Sequence, residues 1–177
     1  SSQQLSKGVI TSSAGNHAQG VALSALKLNC KATILMPITT PMVKINAVKE
    51  LKAEVILFGE NYDETHKEAI RLSQERDLSF IHPFDDADVI AGQGTIGIEI
   101  ISQLGFPPDA IYIAVGGGGL IAGIAMYIKN LWPETQIIGV EPQDANAMSK
   151  SLKNDKIIEL DNVGLFADGV PLKKVGK

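Results

Sequence analysis

The chain has 177 residues, 45% of them hydrophobic and 20% charged, a balance that is typical of globular proteins and excludes a disordered chain. A net charge of −4, with two arginines and 5% aromatic residues, argues against a nucleic-acid partner. The single cysteine, Cys30, excludes an internal disulfide and a cysteine-built zinc site and favours a reducing, cytoplasmic location.

Short apolar runs alternate with helical patterns along most of the chain, and this alternation predicts parallel strands with helices on both faces of the sheet. Six strands are predicted, at 8–13, 31–37, 54–58, 78–83, 111–115 and 136–141. Helices are predicted at 17–28, 42–51, 62–75, 88–104 and 120–131, and loop from Asn154 onward. The fold class is therefore α/β, with one open three-layer sheet or two small ones.

One uncharged stretch, residues 110–128, is long enough to span a membrane as a helix. Four consecutive glycines, Gly116–Gly119, interrupt it, and each costs a helix about 1 kcal/mol relative to alanine. A buried strand, a glycine turn and a buried helix explain the stretch better, so no membrane association is predicted.

The glycine turn is a candidate anion site. Gly116–Gly119 expose backbone N–H groups without an obstructing Cβ, and the helix that is predicted from Leu120 adds its positive end. A phosphate group is the expected ligand. The alternative is that the glycines serve only close packing of helix on sheet, for which one glycine would be enough.

A dinucleotide site is a second interpretation of the same segment. Gly117, Gly119 and Ala122 satisfy the G-x-G-x-x-G/A pattern, and Glu141 ends the next strand at the spacing of an acidic ribose ligand. This interpretation leaves the unusual turn at 11–20 without a role.

The turn at 11–20 follows the first predicted strand, at the sheet edge where ligands of parallel sheets bind. The Ser13 hydroxyl and the local amides can hold a carboxylate, and Asn16 offers a side-chain donor. The alternatives are an ordinary helix cap, for which serine and asparagine are favoured, and a structural role for His17.

Three segments together resemble a known family: SSAGNHAQG at 12–20, GQGT at 92–95 and VGGGGL at 115–120. In order and spacing they are similar to the pyridoxal-phosphate enzymes of the tryptophan-synthase-like fold (fold type II). Within that fold the chain is most similar to threonine dehydratases, also called threonine deaminases, with serine racemases next. VGLFADGV at 163–170 resembles the biosynthetic type in particular.

The resemblance implies roles for residues in these segments. Those implied to bind the cofactor, pyridoxal 5′-phosphate, are Asn16, Gly116, Gly117, Gly118, Gly119, Leu120 and Gly169. Those implied to bind the substrate are Ser13, Ala14, Gly15, His17 and Gln93. The family's Schiff-base lysine belongs upstream of Ser1, so we expect a fragment, an incomplete catalytic domain with no catalytic residue of its own.

Two positions depart from the racemases that this chain resembles. Those racemases have a serine acid/base at the position of Ala14, so elimination is expected rather than racemisation. They also bind a divalent ion through a glutamate, a backbone carbonyl and an aspartate. Glu141 and Ala145 match the first two positions, but Ala147 replaces the aspartate. Two protein oxygens make a weak site, so no metal is predicted.

The resemblance implies deamination of L-threonine to 2-oxobutanoate and ammonia, and of L-serine to pyruvate, by a homo-oligomeric (dimeric or tetrameric) full-length enzyme of isoleucine biosynthesis. Allosteric control by isoleucine requires a regulatory domain outside these residues. Turn signals at 85–88 and 105–109 are candidate lobe boundaries. We expect 1–105 to form mostly the smaller lobe and 106–177 part of the cofactor-binding lobe. The alternatives are a serine racemase or serine dehydratase-like enzyme, and a noncatalytic phosphate-binding fragment.

Overall fold

The computed structural model describes residues 2–164 and 172–176. The chain divides into two compact units, residues 1–83 and 84–177. The first contains α1 (Ser2–Lys7), β1 (Val9–Ser12), α2 (Asn16–Lys27), β2 (Ala32–Met36), α3 (Met42–Glu50), β3 (Glu54–Leu57), α4 (Tyr62–Glu75) and β4 (Ser79–Phe80). The second contains α5 (Ala87–Leu104), β5 (Ala110–Ala114), α6 (Gly119–Leu131), β6 (Gln136–Val140), a 3₁₀ turn (Gln143–Ala145) and α7 (Ala147–Asn154).

The first unit is a three-layer sandwich around a parallel sheet with strand order β3-β2-β1-β4. Every residue of β2 is buried, as expected of a central strand covered on both faces. Ile34 and Met36 pack with α2 and α3 on one face. Leu35 points to the other face, where it joins Ile10 and the α4 residues Ala69 and Leu72. The two-residue period of the strand therefore feeds two separate cores.

The second unit is built on β5 and β6, which pair in parallel with Tyr112 opposite Ile138. The α6 helix connects them, and its Ile124 and Ile128 form a core with Ile113 of β5. On the opposite face of the pair, Tyr112 is 71% exposed in the described part of the chain. This unit therefore has one covered and one open sheet face.

Helix ends follow local capping chemistry in two clear cases. The Asn61 side chain accepts a hydrogen bond from the Glu64 amide at the start of α4. The Asp86 carboxylate accepts from the amides of Asp88 and Val89 at the start of α5. Gly105, with φ of +70°, ends α5 in the left-handed conformation that glycine adopts most easily.

The structure confirms the α/β class, the parallel pairing, the six predicted strands and the five predicted helices. It forms two sheets rather than one, and it adds α1 and α7, which the sequence patterns did not predict. The division after Pro83 lies next to the first of the two predicted turn regions. The assignment of 1–105 and 106–177 to two lobes stays a prediction.

Among the described residues, no helix is long and apolar enough to cross a membrane. The uncharged stretch at 110–128 forms β5, a turn and most of α6.

Candidate functional site

The turn between β1 and α2 is folded by its own hydroxyl and backbone. The Ser13 amide donates to the Leu35 carbonyl of the neighbouring strand at 3.0 Å, and the Ser13 hydroxyl oxygen accepts from the Gly15 amide at 3.2 Å. Gly15 is the N-cap of α2 and provides no side-chain cap, so neither Ser13 nor Asn16 caps the helix. Asn16 is exposed at the first helical position, with Ala14 half-buried beside the turn. The first N–H groups of α2 therefore face outward without a capping side chain.

The imidazole of His17 lies within hydrogen-bond distance of Thr11 in β1 and of Ile81, directly after β4. Its Nε2 lies 3.1 Å from the Thr11 hydroxyl and 3.4 Å from the Ile81 carbonyl oxygen. The Thr11 hydroxyl itself donates to Ile81 at 2.7 Å. Burial lowers the pKa of His17; the Ile81 carbonyl opposes that shift and nearby His82 adds to it. These contacts support a structural role for His17 within the turn.

Ser12, the last residue of β1, is fully buried and contacts a second histidine. Its hydroxyl lies 3.1 Å from His66 Nδ1, and the Tyr62 hydroxyl lies 3.4 Å from the same nitrogen. His66 also meets His82 edge to face, with ring centroids 6.0 Å apart. Burial lowers the pKa of His66 and raises the pKa of Tyr62 to about 12. The carboxyl end of β1 therefore carries a cluster of tyrosine and histidine side chains that the sequence patterns did not single out.

In the second unit, the glycine turn between β5 and α6 is closely packed. A Cβ on Gly117 would lie 2.2 Å from the Phe84 ring, and one on Gly119 would lie 2.6 Å from the Phe84 carbonyl oxygen. Gly118 has φ of +102°, and a Cβ there would lie 2.8 Å from the Met148 methyl group. The Gly117 carbonyl accepts from the Gly176 amide at 2.9 Å.

Three of the four glycines thus have a packing reason, which gives the packing interpretation more weight than the sequence suggested. The same turn nevertheless has the properties that a phosphate needs. It carries no side chain at 116–119, and the first N–H groups of the 13-residue helix α6 lie at its end. Leu120 is half-buried in the first turn of that helix. Binding of a cofactor phosphate at this turn stays a prediction.

The GQGT segment lies within α5, at the crossing of α5 and α6. A Cβ on Gly94 would lie 3.2 Å from the Gly123 carbonyl oxygen, and Thr95 donates to the Gly92 carbonyl at 2.7 Å. Gln93 is half-buried on the same helix, and its predicted substrate contact stays a prediction. The close contact between α5 and α6 explains Gly94 of this segment.

Glu141 directly follows β6, and its side chain binds the start of α7. Its two carboxylate oxygens accept from the amides of Met148 at 2.9 Å and Ser149 at 2.8 Å, in the first turn of α7. A carboxylate bonded in this way is already used, which argues against the dinucleotide interpretation. Ala145 and Ala147 are buried. In the described part of the chain, no three side chains of the metal-binding types converge.

Gly169, predicted beside the pyridine ring, lies outside the described residues, as does most of the VGLFADGV segment. The structure places the other predicted cofactor- and substrate-binding residues at the β1–α2 turn, the β5–α6 turn and α5. Sequence patterns missed Phe84 and Met148, which hold the glycine turn. Both lie far from it in sequence, so no local pattern could reveal them.

Comparison with known proteins identifies the class. Residues 2–176 match the model of the family described as "Pyridoxal-phosphate dependent enzyme", and the chain belongs to that family. The resemblance that the three glycine-containing segments indicated is therefore confirmed.

Within the family, the chain is 60% identical over 174 residues to the biosynthetic, chloroplastic threonine dehydratase of Arabidopsis thaliana, covering 98% of this chain and 29% of that protein. Among solved structures, the processed form of threonine deaminase isoform 2 from Solanum lycopersicum superposes with a TM-score of 0.94 at 53% identity, covering 100% of this chain and 51% of that one. A maize serine racemase superposes with a TM-score of 0.92 at 34% identity, covering 99% and 53%. The chain thus spans about three tenths of the Arabidopsis relative.

Proposed function

We propose that the full-length protein is a pyridoxal-phosphate-dependent threonine dehydratase that converts L-threonine to 2-oxobutanoate and ammonia, and L-serine to pyruvate. The observation that carries the proposal is the bare turn at Gly116–Gly119, at the amino end of α6, in a chain that belongs to a pyridoxal-phosphate family. The high identity to a threonine dehydratase supports threonine as the substrate. The word "biosynthetic" in that relative's name supports a role in isoleucine synthesis.

In this proposal the second unit holds the cofactor phosphate. The amides of Gly116–Gly119 and Leu120 would donate to the phosphate oxygens, and the positive end of α6 would add electrostatic attraction. When bound, pyridoxal phosphate supplies an electron sink for the α-carbon of the amino acid. Gly169 and Asn16 are proposed to contact the ring, by resemblance to the family, and Asn16 is exposed as such a contact requires.

The first unit is proposed to hold the substrate carboxylate. The Ser13 hydroxyl accepts from Gly15, which leaves its own proton to donate to a carboxylate. The Gly15 amide is taken up by that bond, so the Ala14 amide is proposed as the further donor from a turn without bulky side chains. His17 contributes from behind by fixing the turn to Thr11 and Ile81, and Gln93 is proposed as a further substrate contact.

Ala14 separates the proposed dehydratase from a racemase. Its methyl group can neither accept nor donate a proton, so one face of the substrate lacks an acid/base at this position. The test is to incubate the purified full-length protein, loaded with pyridoxal phosphate, with L-threonine and L-serine. We expect 2-oxobutanoate and pyruvate, with little D-serine. D-serine as the main product would replace the proposal with a racemase, and no product from either substrate would leave a noncatalytic phosphate-binding protein.

A matched pair of variants tests the carboxylate turn. A Cβ at either Gly15 or Gly20 meets nothing within 4 Å, so both alanine variants should fold. Gly15→Ala places a methyl group in the turn, and we expect its KM for L-threonine to rise about tenfold, a loss of about 1.4 kcal/mol in binding. Gly20→Ala, one turn along α2 on an exposed position, should leave the KM unchanged. Equal KM values for the two variants would contradict the assignment.

Cytoplasmic location, homo-oligomeric assembly and control by isoleucine are further parts of the proposal. The single cysteine supports a reducing compartment. The Arabidopsis relative is named chloroplastic, so imaging of a tagged full-length protein is the appropriate test of location. Native mass measurement with and without isoleucine tests assembly and control.

A further inference from the structure

Glu141 performs a task in this structure that neither the metal nor the ribose interpretation foresaw. Its carboxylate lies at the carboxyl end of β6, and each oxygen accepts one amide of α7: Oε1 from Met148 and Oε2 from Ser149, at 2.9 and 2.8 Å. The N-cap residue of α7, Asn146, makes no side-chain cap bond. The start of α7 is therefore capped by a residue from outside the helix.

This cap is charged and bidentate. A carboxylate next to the first N–H groups of a helix interacts favourably with the positive end of the helix, and charge-assisted hydrogen bonds are about twice as strong as neutral ones. The α7 helix has only eight residues, so it depends on contacts outside itself for its stability. Glu141 consequently fixes where α7 begins.

The residue that Glu141 holds is also the residue that packs on the glycine turn. Met148 donates its amide to Glu141, and its methyl group lies 2.8 Å from the position that a Cβ on Gly118 would occupy. Ala147, immediately before it, is buried in a small core with Leu160 and Val175. Neighbouring Gly176 donates to the Gly117 carbonyl. The start of α7 therefore contacts the glycine turn through Met148 and is held in place by Glu141 and by the core around Ala147.

We propose that Glu141 is a positioning residue for the phosphate turn: through α7 and Met148 it holds Gly118 in the conformation that binds phosphate, and it does so without a metal ion. The proposal rests on the proposed function, because it assumes that the glycine turn at 116–119 binds the cofactor phosphate. The metal interpretation gives Glu141 only a weak role, because Ala147 replaces the aspartate ligand. The proposal gives the Glu141 carboxylate a positioning role instead.

The test compares pyridoxal phosphate with pyridoxal, which lacks the phosphate, in equilibrium titrations of the full-length apoprotein. In the wild type we expect a clear preference for pyridoxal phosphate. Glu141→Ala loses both hydrogen bonds and should reduce that preference about tenfold, since it removes two charge-assisted bonds that hold the turn in place. Glu141→Gln keeps one acceptor oxygen, so its preference for pyridoxal phosphate should lie between those of the wild type and Glu141→Ala. Glu134→Gln, an exposed carboxylate change in the same unit, should match the wild type.

The ratio of the two affinities separates positioning from general stability, because a merely weakened fold lowers both affinities together. If the folded Glu141→Gln and Glu141→Ala proteins keep the wild-type preference, the Glu141 inference is wrong while the proposed phosphate site stands. If the wild type itself shows no preference, the phosphate site is wrong and the inference falls with it. Magnesium ions and a chelator should each leave the wild-type preference unchanged, and a magnesium-dependent preference would show that Glu141 is a metal ligand instead.

Discussion

Single residues at the glycine turn serve packing, and the proposed phosphate site would use the same residues. Phe84 leaves no room for a Cβ on Gly117 or Gly119, and the backbone of Gly118 has a positive φ. A phosphate needs the same bare backbone, so the two interpretations of the glycines are compatible rather than exclusive. The sequence could predict the bare turn because the four glycines are contiguous. It could not predict Phe84, because that contact is brought about only by folding.

The histidines at the carboxyl end of β1 show a different limit of sequence reasoning. The SSAGNHAQG segment places His17 in the predicted substrate turn, and the structure shows its ring within hydrogen-bond distance of Thr11 and Ile81. His66 carried no motif, yet it contacts the buried Ser12 next to that turn. Burial lowers the pKa of both histidines.

These shifts predict a loss of stability in mild acid. The unfolded chain binds protons at the ordinary histidine pKa of about 6.5, whereas the folded chain binds them only at lower pH. The free energy of unfolding should therefore fall as the pH drops below about 6.5, by at most about 1.4 kcal/mol per pH unit for each histidine. The groups around His66 are Ser12, Tyr62, Asp63, Phe80 and His82.

Urea unfolding of the full-length protein at pH 7.5, 6.5 and 5.5 measures the effect. His66→Gln should flatten the dependence, and Lys67→Gln, an exposed change on the same helix, should not. Wild-type stability that is constant or higher at pH 5.5 would contradict the account.

At the scale of elements, the α5–α6 crossing determines how the second unit packs. A Cβ on Gly123 would lie 2.3 Å from the Ile90 carbonyl oxygen and 2.7 Å from the Gly94 amide. The two helices approach so closely that only a residue without a side chain fits. Helix packing thus explains Gly94, the second glycine of GQGT, and the motif alone could not show this reason.

This contact predicts contrasting effects for two glycine-to-alanine changes. Gly123→Ala forces the helices apart and should destabilise the protein by about 1–3 kcal/mol, the usual cost of overpacking. Gly92→Ala, where a Cβ meets nothing within 4 Å, should be neutral or stabilise α5 by up to about 1 kcal/mol. Urea midpoints of the two full-length variants provide the comparison. A Gly123→Ala protein as stable as Gly92→Ala would show that the crossing is loose.

The elements that the sequence predicted and those that it missed differ in where their stabilising contacts come from. The strands and the five predicted helices carry their own apolar periodicity, and α4 and α5 also carry local caps in Asn61 and Asp86. The α7 helix is short and is capped by Glu141 from the preceding strand. The α1 helix has six mainly polar residues, and the Cys30 thiol donates to its Leu5 carbonyl. Non-local partners of this kind leave no periodic signal.

At the scale of the whole molecule, two units divide the predicted roles. The unit of residues 1–83 carries the proposed carboxylate turn, and the unit of residues 84–177 carries the proposed phosphate turn. The α/β class and the family followed from the sequence because motifs and strand–helix alternation agree along the whole chain. The sequence carries turn signals at two places, 85–88 and 105–109, so it offers two candidate boundaries, and the lobe assignment stays a prediction.

We propose that Gly116–Gly119 hold the phosphate of pyridoxal phosphate, and alanine substitutions at two positive-φ glycines distinguish this role from a general effect on stability. Gly118→Ala and Gly105→Ala each impose a left-handed alanine, at φ of +102° and +70°, which costs about 1 kcal/mol of stability. Only at Gly118 does the added Cβ also meet a side chain, the Met148 methyl group at 2.8 Å, so pyridoxal, which lacks the phosphate, controls for that difference. Only Gly118 belongs to the turn. Titration of the full-length apoprotein should show pyridoxal phosphate bound about tenfold more weakly by Gly118→Ala than by Gly105→Ala, with pyridoxal bound equally by both. Equal binding of pyridoxal phosphate by the two folded variants would contradict the claim.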